Sequence, residues 1–120
     1  MKTALRLLLL LTLSSATAPA LAAGAIAVAD EEGLSAGEAG YGFVTGYDSR
    51  SEAADAAMQE CRSQGNSDCK VAVRFDTCGA YAGNRTYFGI GWGNSEREAT
   101  RKALGDCGQD SCRIVVSGCE

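Results

Sequence analysis

The chain has 120 residues, with 11 Lys and Arg, 15 Asp and Glu, six Cys, a single Pro and no His. Its formal net charge of −4 argues against nonspecific binding to nucleic acid or anionic membrane, because phosphate affinity comes from clustered cations. The lack of His removes Ser–His and Cys–His nucleophilic schemes and His-based metal sites.

Residues 1–22 read as a secretory signal peptide. Lys2 and Arg6 supply the positive start, and Leu7 to Leu13 is apolar except for Thr12. That run is too short to span a bilayer, and Ala20-Leu21-Ala22 is a small-x-small cleavage site. The expected product begins at Ala23, has no Cys there to carry a lipid, and is periplasmic or secreted without membrane insertion. Losing Lys2 and Arg6 leaves 9 basic against 15 acidic residues, a net charge of −6. Such a charge permits attraction to a basic protein partner, and solubility alone would also account for it. Residues 23–120 make one domain by length. Six Cys in an exported chain of this size are expected to pair, each bridge contributing roughly 2–4 kcal/mol.

A strand is expected over Gly24–Ala29. An insertion from Asp30 to Gly40 follows, carrying Asp30-Glu31-Glu32, and a second strand covers Tyr41–Tyr47. Ser49-x-x-Glu52 is a capping box: the Ser oxygen accepts from the N3 amide and the Glu reaches back to the cap amide. The helix it starts carries an apolar stripe of Ala53, Ala54, Ala57, Met58 and Cys61. Cys69, Val71, Val73 and Phe75 then alternate onto one face of a strand. The same order recurs. Strands are expected at Ala80–Gly83 and Thr86–Gly93, a capping box at Ser95-x-x-Glu98, a stripe of Ala99, Ala103, Leu104 and Cys107, and a strand face of Cys112, Ile114 and Val116.

Offsetting the chain by 46 sets Tyr41 on Tyr87, Ser49 on Ser95, Glu52 on Glu98, Ala57 on Ala103 and Cys61 on Cys107. Gly24-Ala25-Ile26-Ala27 likewise resembles Gly79-Ala80-Tyr81-Ala82. So many coincidences point to a duplicated unit. The predicted fold is α+β. Two tandem strand-strand-helix-strand units form a mainly antiparallel sheet with two helices packed on it, stabilised by disulfides.

Fifteen pairings of six Cys are possible. Cys61 ends a helix stripe that faces the sheet, and Cys69 lies on the apolar face of the next strand, one short loop away. Cys107 and Cys112 repeat that relation. The expected bridges are Cys61–Cys69, Cys107–Cys112 and, crossing between units, Cys78–Cys119. The intervening gaps of seven, eight, four and six residues do not match the tight spacing of a zinc site, so no metal is expected. Without a C-x-x-C there is no redox motif either.

Two features stand out as candidate partner-binding positions. Asp30, Glu31 and Glu32 form the densest acidic cluster, readable as a solvated turn, a contact for a basic partner, or a carboxylate pair able to cleave glycosides. The spacing does not fit an EF-hand loop. In Gly89-Ile90-Gly91-Trp92-Gly93 the glycines leave one strand face bare and allow close backbone approach, without forming a phosphate loop. Trp92 is read first as a core residue that those glycines admit, and second as an exposed anchor for a partner. Tyr47, Tyr81 and Tyr87 carry the same ambiguity. Asn84-Arg85-Thr86 matches a glycosylation sequon and reads as a turn before a strand.

Taken together, Gly24-Ala25-Ile26-Ala27, Tyr41-Gly42, the Ala-rich helix ending in Cys61, Cys69-Lys70-Val71-Ala72-Val73, Cys78-Gly79-Ala80 and Gly89 to Gly93 resemble an exported bacterial family, domain-of-unknown-function family 4189. Ala99 through Cys119 fits it as well. The resemblance implies a small exported disulfide-bearing domain and brings no catalytic residues with it.

With no catalytic constellation and no cofactor motif, the expected function is a non-enzymatic protein-binding module. Its sharper form is an inhibitor or immunity protein against a basic envelope hydrolase. The alternatives are a secreted effector acting on a host and a carboxylate-based hydrolase of envelope polysaccharide.

Overall fold

The computed structural model describes residues 22–120, so the expected signal peptide lies, apart from Ala22, outside the described residues. The elements run β1 (Ala23–Ala29), β2 (Gly40–Tyr47), α1 (Arg50–Ser63), β3 (Lys70–Phe75), β4 (Cys78–Gly83), β5 (Phe88–Gly93), α2 (Glu96–Cys107) and β6 (Arg113–Cys119). The order is strand, strand, helix, strand, twice, as the sequence predicts. The strands divide into two antiparallel three-stranded sheets, β2-β1-β3 and β5-β4-β6.

Side-chain size sorts the two faces of each sheet. On the central strand β1, Ala23, Ala25 and Ala27 meet Ala53, Ala57 and Cys61 of α1. On β4, Ala80 and Ala82 meet Ala99, Ala103 and Cys107 of α2. Alanine on both partners lets each helix lie close on its sheet. The alternate residues of β1 and β4 are large. Ile26, Val28 and Tyr81 join Val73 and Phe75 in a third cluster between the sheets. The layers are therefore helix, sheet, sheet, helix, with the largest side chains in the middle. Phe75 stacks on Phe43 with ring centroids 5.6 Å apart, and lies where a Cβ on Gly24 or Gly79 would stand.

Both helices begin as the capping boxes predict at the serine. Ser49 accepts from the Glu52 amide at 3.0 Å and Ser95 from the Glu98 amide at 3.1 Å. The return half of the box is different. The Glu98 carboxylate accepts from the Asn94 amide at 3.2 Å, one residue before the cap, and pairs with Lys102 one turn on. α2 stops at Gly108, whose left-handed backbone (φ 72°) suits glycine. Leu104, expected in the α2 stripe, is 38% exposed; the buried line is Ala99, Ala103 and Cys107.

Two of the strand faces predicted from alternation are interrupted by a bulge. Ile26 pairs with Val73 but Ala27 with Val71, so Ala72 is an extra residue in β3. Tyr81 pairs with Val116 but Ala82 with Ile114, so Val115 is extra in β6. A bulge reverses which face the following residues occupy. Cys69 therefore faces α1, whereas Val73 and Phe75 face the opposite sheet, and the predicted single face of Cys69, Val71, Val73 and Phe75 is broken. Ile114 and Val116 part in the same way.

The disulfides join Cys61–Cys69, Cys107–Cys112 and Cys78–Cys119. The first two fasten the end of each helix to the turn just before the strand that follows. The third does not cross between the halves as expected. Cys78 is the first residue of β4 and pairs directly with Cys119 on β6, so this bridge lies inside the second sheet. Among the described residues no helix is long and apolar enough to cross a membrane.

Candidate functional site

β5 is an edge strand whose two faces have opposite characters. Its glycine face lies under α2. A Cβ on Gly91 would stand 2.1 Å from the Ala99 carbonyl oxygen, and one on Gly89 2.2 Å from that of Ala103. The bare face foreseen for this segment is thus filled by helix backbone, and no room is left there for an indole. Trp92 consequently points the other way with Phe88 and Ile90. It is 54% exposed, which overturns its reading as a core residue, and Phe88 is 62% exposed. Asp106 of α2 accepts from the outward Ile90 amide at 2.9 Å, so the middle of this sheet edge is capped from within the chain.

β3, the edge of the other sheet, runs beside β5, leaving the sandwich open along this side. The opening is a groove with two recesses that meet at Ala72. One, of about 300 Å³, is lined by Trp92, Ile90, Phe75 and the Arg50–Asp76 ion pair. The other, of about 550 Å³, is lined by Phe88, Tyr81, Lys70 and the carboxylates of Asp30, Glu31, Glu32 and Asp68. Phe88, Ile90 and Trp92 run along the groove for about 13 Å at the usual strand rise. The fold therefore brings both nominated features, Trp92 and the acidic insertion, to the two ends of one groove.

Polar bonds hold the acidic end in place. The buried Tyr81 ring sends its hydroxyl to Asp30 at 2.6 Å. Burial pushes the Tyr81 pKa upward, and the Asp30 carboxylate adds to that shift. Glu31 lies beside Asp68, whose carboxylate holds the Glu31 pKa above the usual carboxylate range by hydrogen bonding and repulsion. Asp68→Asn is expected to return Glu31 to ordinary titration, read from its carboxyl carbon shift by NMR. An unchanged Glu31 titration in that variant would show that the two groups do not interact.

Phe88 and Asp68 are site residues that the sequence reading did not nominate. Phe88 was legible in part, because it shares the alternation of Ile90 and Trp92 opposite the glycines. Asp68 was not, since a loop residue between Cys61 and Cys69 gives no sign that it will meet an insertion more than thirty residues earlier. Of the ambiguous tyrosines, Tyr81 is buried while Tyr47 and Tyr87 are exposed. The Asn84 side chain accepts from the Thr86 and Tyr87 amides at 2.8 and 2.6 Å, forming the expected turn before β5. Among the described residues no three His, Cys, Asp or Glu side chains are grouped so as to hold a metal ion.

This architecture defines a class: a small, disulfide-bridged α+β sandwich with a helix on each outer face and an open groove along one edge. Residues 23–119 match the family described as "Domain of unknown function (DUF4189)", and the chain belongs to that family. It is similar in structure to Rv1813c from Mycobacterium tuberculosis, solved by NMR. The TM-score is 0.57 and the identity 27%, covering 85% of this chain and 78% of that one. No curated protein matches the chain.

Proposed function

We propose that this protein is a non-enzymatic binding module, working in the periplasm or outside the cell, whose edge groove docks a basic protein partner. The observation that carries this reading is the row Phe88–Ile90–Trp92, exposed at Phe88 and Trp92 and partly buried at Ile90, running into a recess lined by four carboxylates. Half-exposed aromatics supply rigid apolar area for anchoring, and a rim of one charge sign steers encounter and sets orientation. A basic envelope hydrolase, held by this domain acting as its inhibitor or immunity protein, fits that surface. Disulfides suit an oxidising compartment.

The test is capture with the oxidised domain, residues 23–120, as bait in envelope and secreted fractions. Three baits are compared: wild type, Trp92→Ala, and a variant with Asp30, Glu31 and Glu32 amidated. One near-stoichiometric basic partner is expected. Trp92→Ala should weaken it by about 2 kcal/mol, the scale of an interface hot spot. The amidated variant should bind more weakly at low salt and lose most of its salt dependence. A partner captured equally by all three baits would remove the groove from the reading.

A carboxylate-based polysaccharide hydrolase is the second reading, favoured by Glu31 and Asp68 lining one recess, with Glu31 inclined to keep its proton. Turnover of cell-wall polysaccharide that disappears in Glu31→Gln would establish it in place of the first.

A further inference from the structure

The mature sequence is acidic, yet one recess has no carboxylate in its lining. It has a volume of about 570 Å³ and lies at β6, the edge of the second sheet opposite β5. Arg85 and Arg113 line it together with Asn84, Thr86 and Ser111, and Ile114 and Val115 supply apolar lining. We propose that this recess is a binding site for a small oxyanion carried on a sugar-sized body, a phosphorylated or carboxylated carbohydrate. It is separate from the groove on the other side and does not depend on the function assigned there.

The surrounding bonds pre-position the donors. One Arg113 nitrogen, Nη1, donates to the Asp110 and Cys112 carbonyls, both at 2.9 Å, which fixes the guanidinium beside the Cys107–Cys112 bridge. Its Nε and Nη2 have no protein acceptor among the described residues and remain for a ligand. Arg85 donates from Nη1 to the Gly33 carbonyl at 2.8 Å, while the Gly33 amide donates back to the Arg85 carbonyl at 2.7 Å. This pair ties the insertion loop to the turn before β5 and makes the loop a wall of the recess. Asn84 donates to the Ser111 hydroxyl at 2.9 Å, which leaves the Ser111 proton free to point at a bound oxygen.

Glu38 is the competing anion, 3.6 Å from Arg85 Nη2. Its Oε1 already accepts from the Ser35 hydroxyl at 2.7 Å and the Ser35 amide at 3.1 Å, and it lies outside the recess lining. Glu38 therefore neutralises Arg85 only in part and leaves Arg113 untouched. Two guanidinium groups and a hydroxyl lining one recess match the planar, multidentate demand of phosphate or carboxylate. Ile114 and Val115 add apolar lining suited to the apolar face of a sugar ring.

The test is a heteronuclear NMR titration of the oxidised domain with inorganic phosphate and, separately, with glucuronate. Sodium chloride at matched ionic strength and neutral glucose are the controls. Saturable shifts confined to the amides around Asn84, Thr86, Ser111 and Arg113 are expected with at least one of the two anions, and none with either control. Arg113→Gln and Arg85→Gln should each weaken binding by about tenfold, the scale of a lost charge-assisted pair. Arg101→Gln on α2 should leave it unchanged. Arg85 is 69% exposed, and the backbone bond from the Gly33 amide to its carbonyl does not depend on the side chain, so its variant keeps the fold and the loop in place and decides the matter even where Arg113→Gln disturbs the neighbouring bridge. Shifts that follow ionic strength alone, or affinity retained in Arg85→Gln, would overturn the proposal.

Discussion

Replacing Cys78 and Cys119 together by Ala is expected to lower the unfolding free energy by about 4 kcal/mol, the largest loss among the three bridges. The bridge closes a segment with a sequence separation of 41, against 8 for Cys61–Cys69 and 5 for Cys107–Cys112. Longer loops take more conformational freedom from the unfolded chain. The same relation gives about 2.5 kcal/mol for Cys61–Cys69 and about 2 kcal/mol for Cys107–Cys112. Against a net stability of roughly 5–15 kcal/mol, loss of Cys78–Cys119 removes about a quarter to four-fifths of the total. Urea denaturation of the three double variants under oxidising conditions measures the order. Equal losses, or a greater loss from either short loop, would show that local packing at the helix ends outweighs chain entropy.

The second large effect is at the contact between β5 and α2. Gly91→Ala is expected to destabilise by about 3 kcal/mol, at the upper end for an overpacked site, and Gly89→Ala by a similar amount. In both cases the added methyl would meet helix backbone, near 2 Å from a carbonyl oxygen, so no side chain can turn aside. The strand and helix must separate, exposing Ala99 and Ala103. Gly105→Ala is the internal control. It sits on the outer face of α2 with nothing within 4 Å of the new Cβ, and should stabilise by roughly 0.5–1 kcal/mol through helix propensity. Thermal unfolding of the three variants reads both signs. Gly91→Ala tolerated without loss would mean that α2 does not lie directly on β5.

The same glycines explain the exposure of Trp92. Once one face of β5 is given to helix backbone, its alternate side chains must lie between the sheets or beyond their edge. Because β5 is the edge strand, Trp92 and Phe88 emerge into the groove. The stability contact and the proposed binding surface are thus two faces of one strand, and substitutions on the two faces should separate stability from partner binding.

Much of this was legible from local chemistry. The serines at 49 and 95 mark helix starts because a side-chain oxygen there meets an otherwise orphan amide. The Ala and Cys spacing marks the face each helix buries. Two Cys pairings followed from helix ends and strand faces only a few residues apart, and the third joined the two Cys that remained. These are short-range consequences of backbone geometry, and 120 residues of sequence suffice to state them.

Other features were decided only by tertiary structure. The bulges at Ala72 and Val115 arise from register between strands distant in sequence, and a one-residue insertion reverses the facing that alternation predicts. The division into two sheets packed face to face depends on Ile26, Phe75 and Tyr81 meeting across the layers. Residue type left Trp92 with two readings, and the closeness of α2 to β5 chose between them. The groove itself needed Asp68, the Asp30–Glu32 insertion and β5 to converge from three separate stretches of chain. Periodicity reports which side of an element is apolar; only packing determines what that side meets, and hence which side chains are left for a partner.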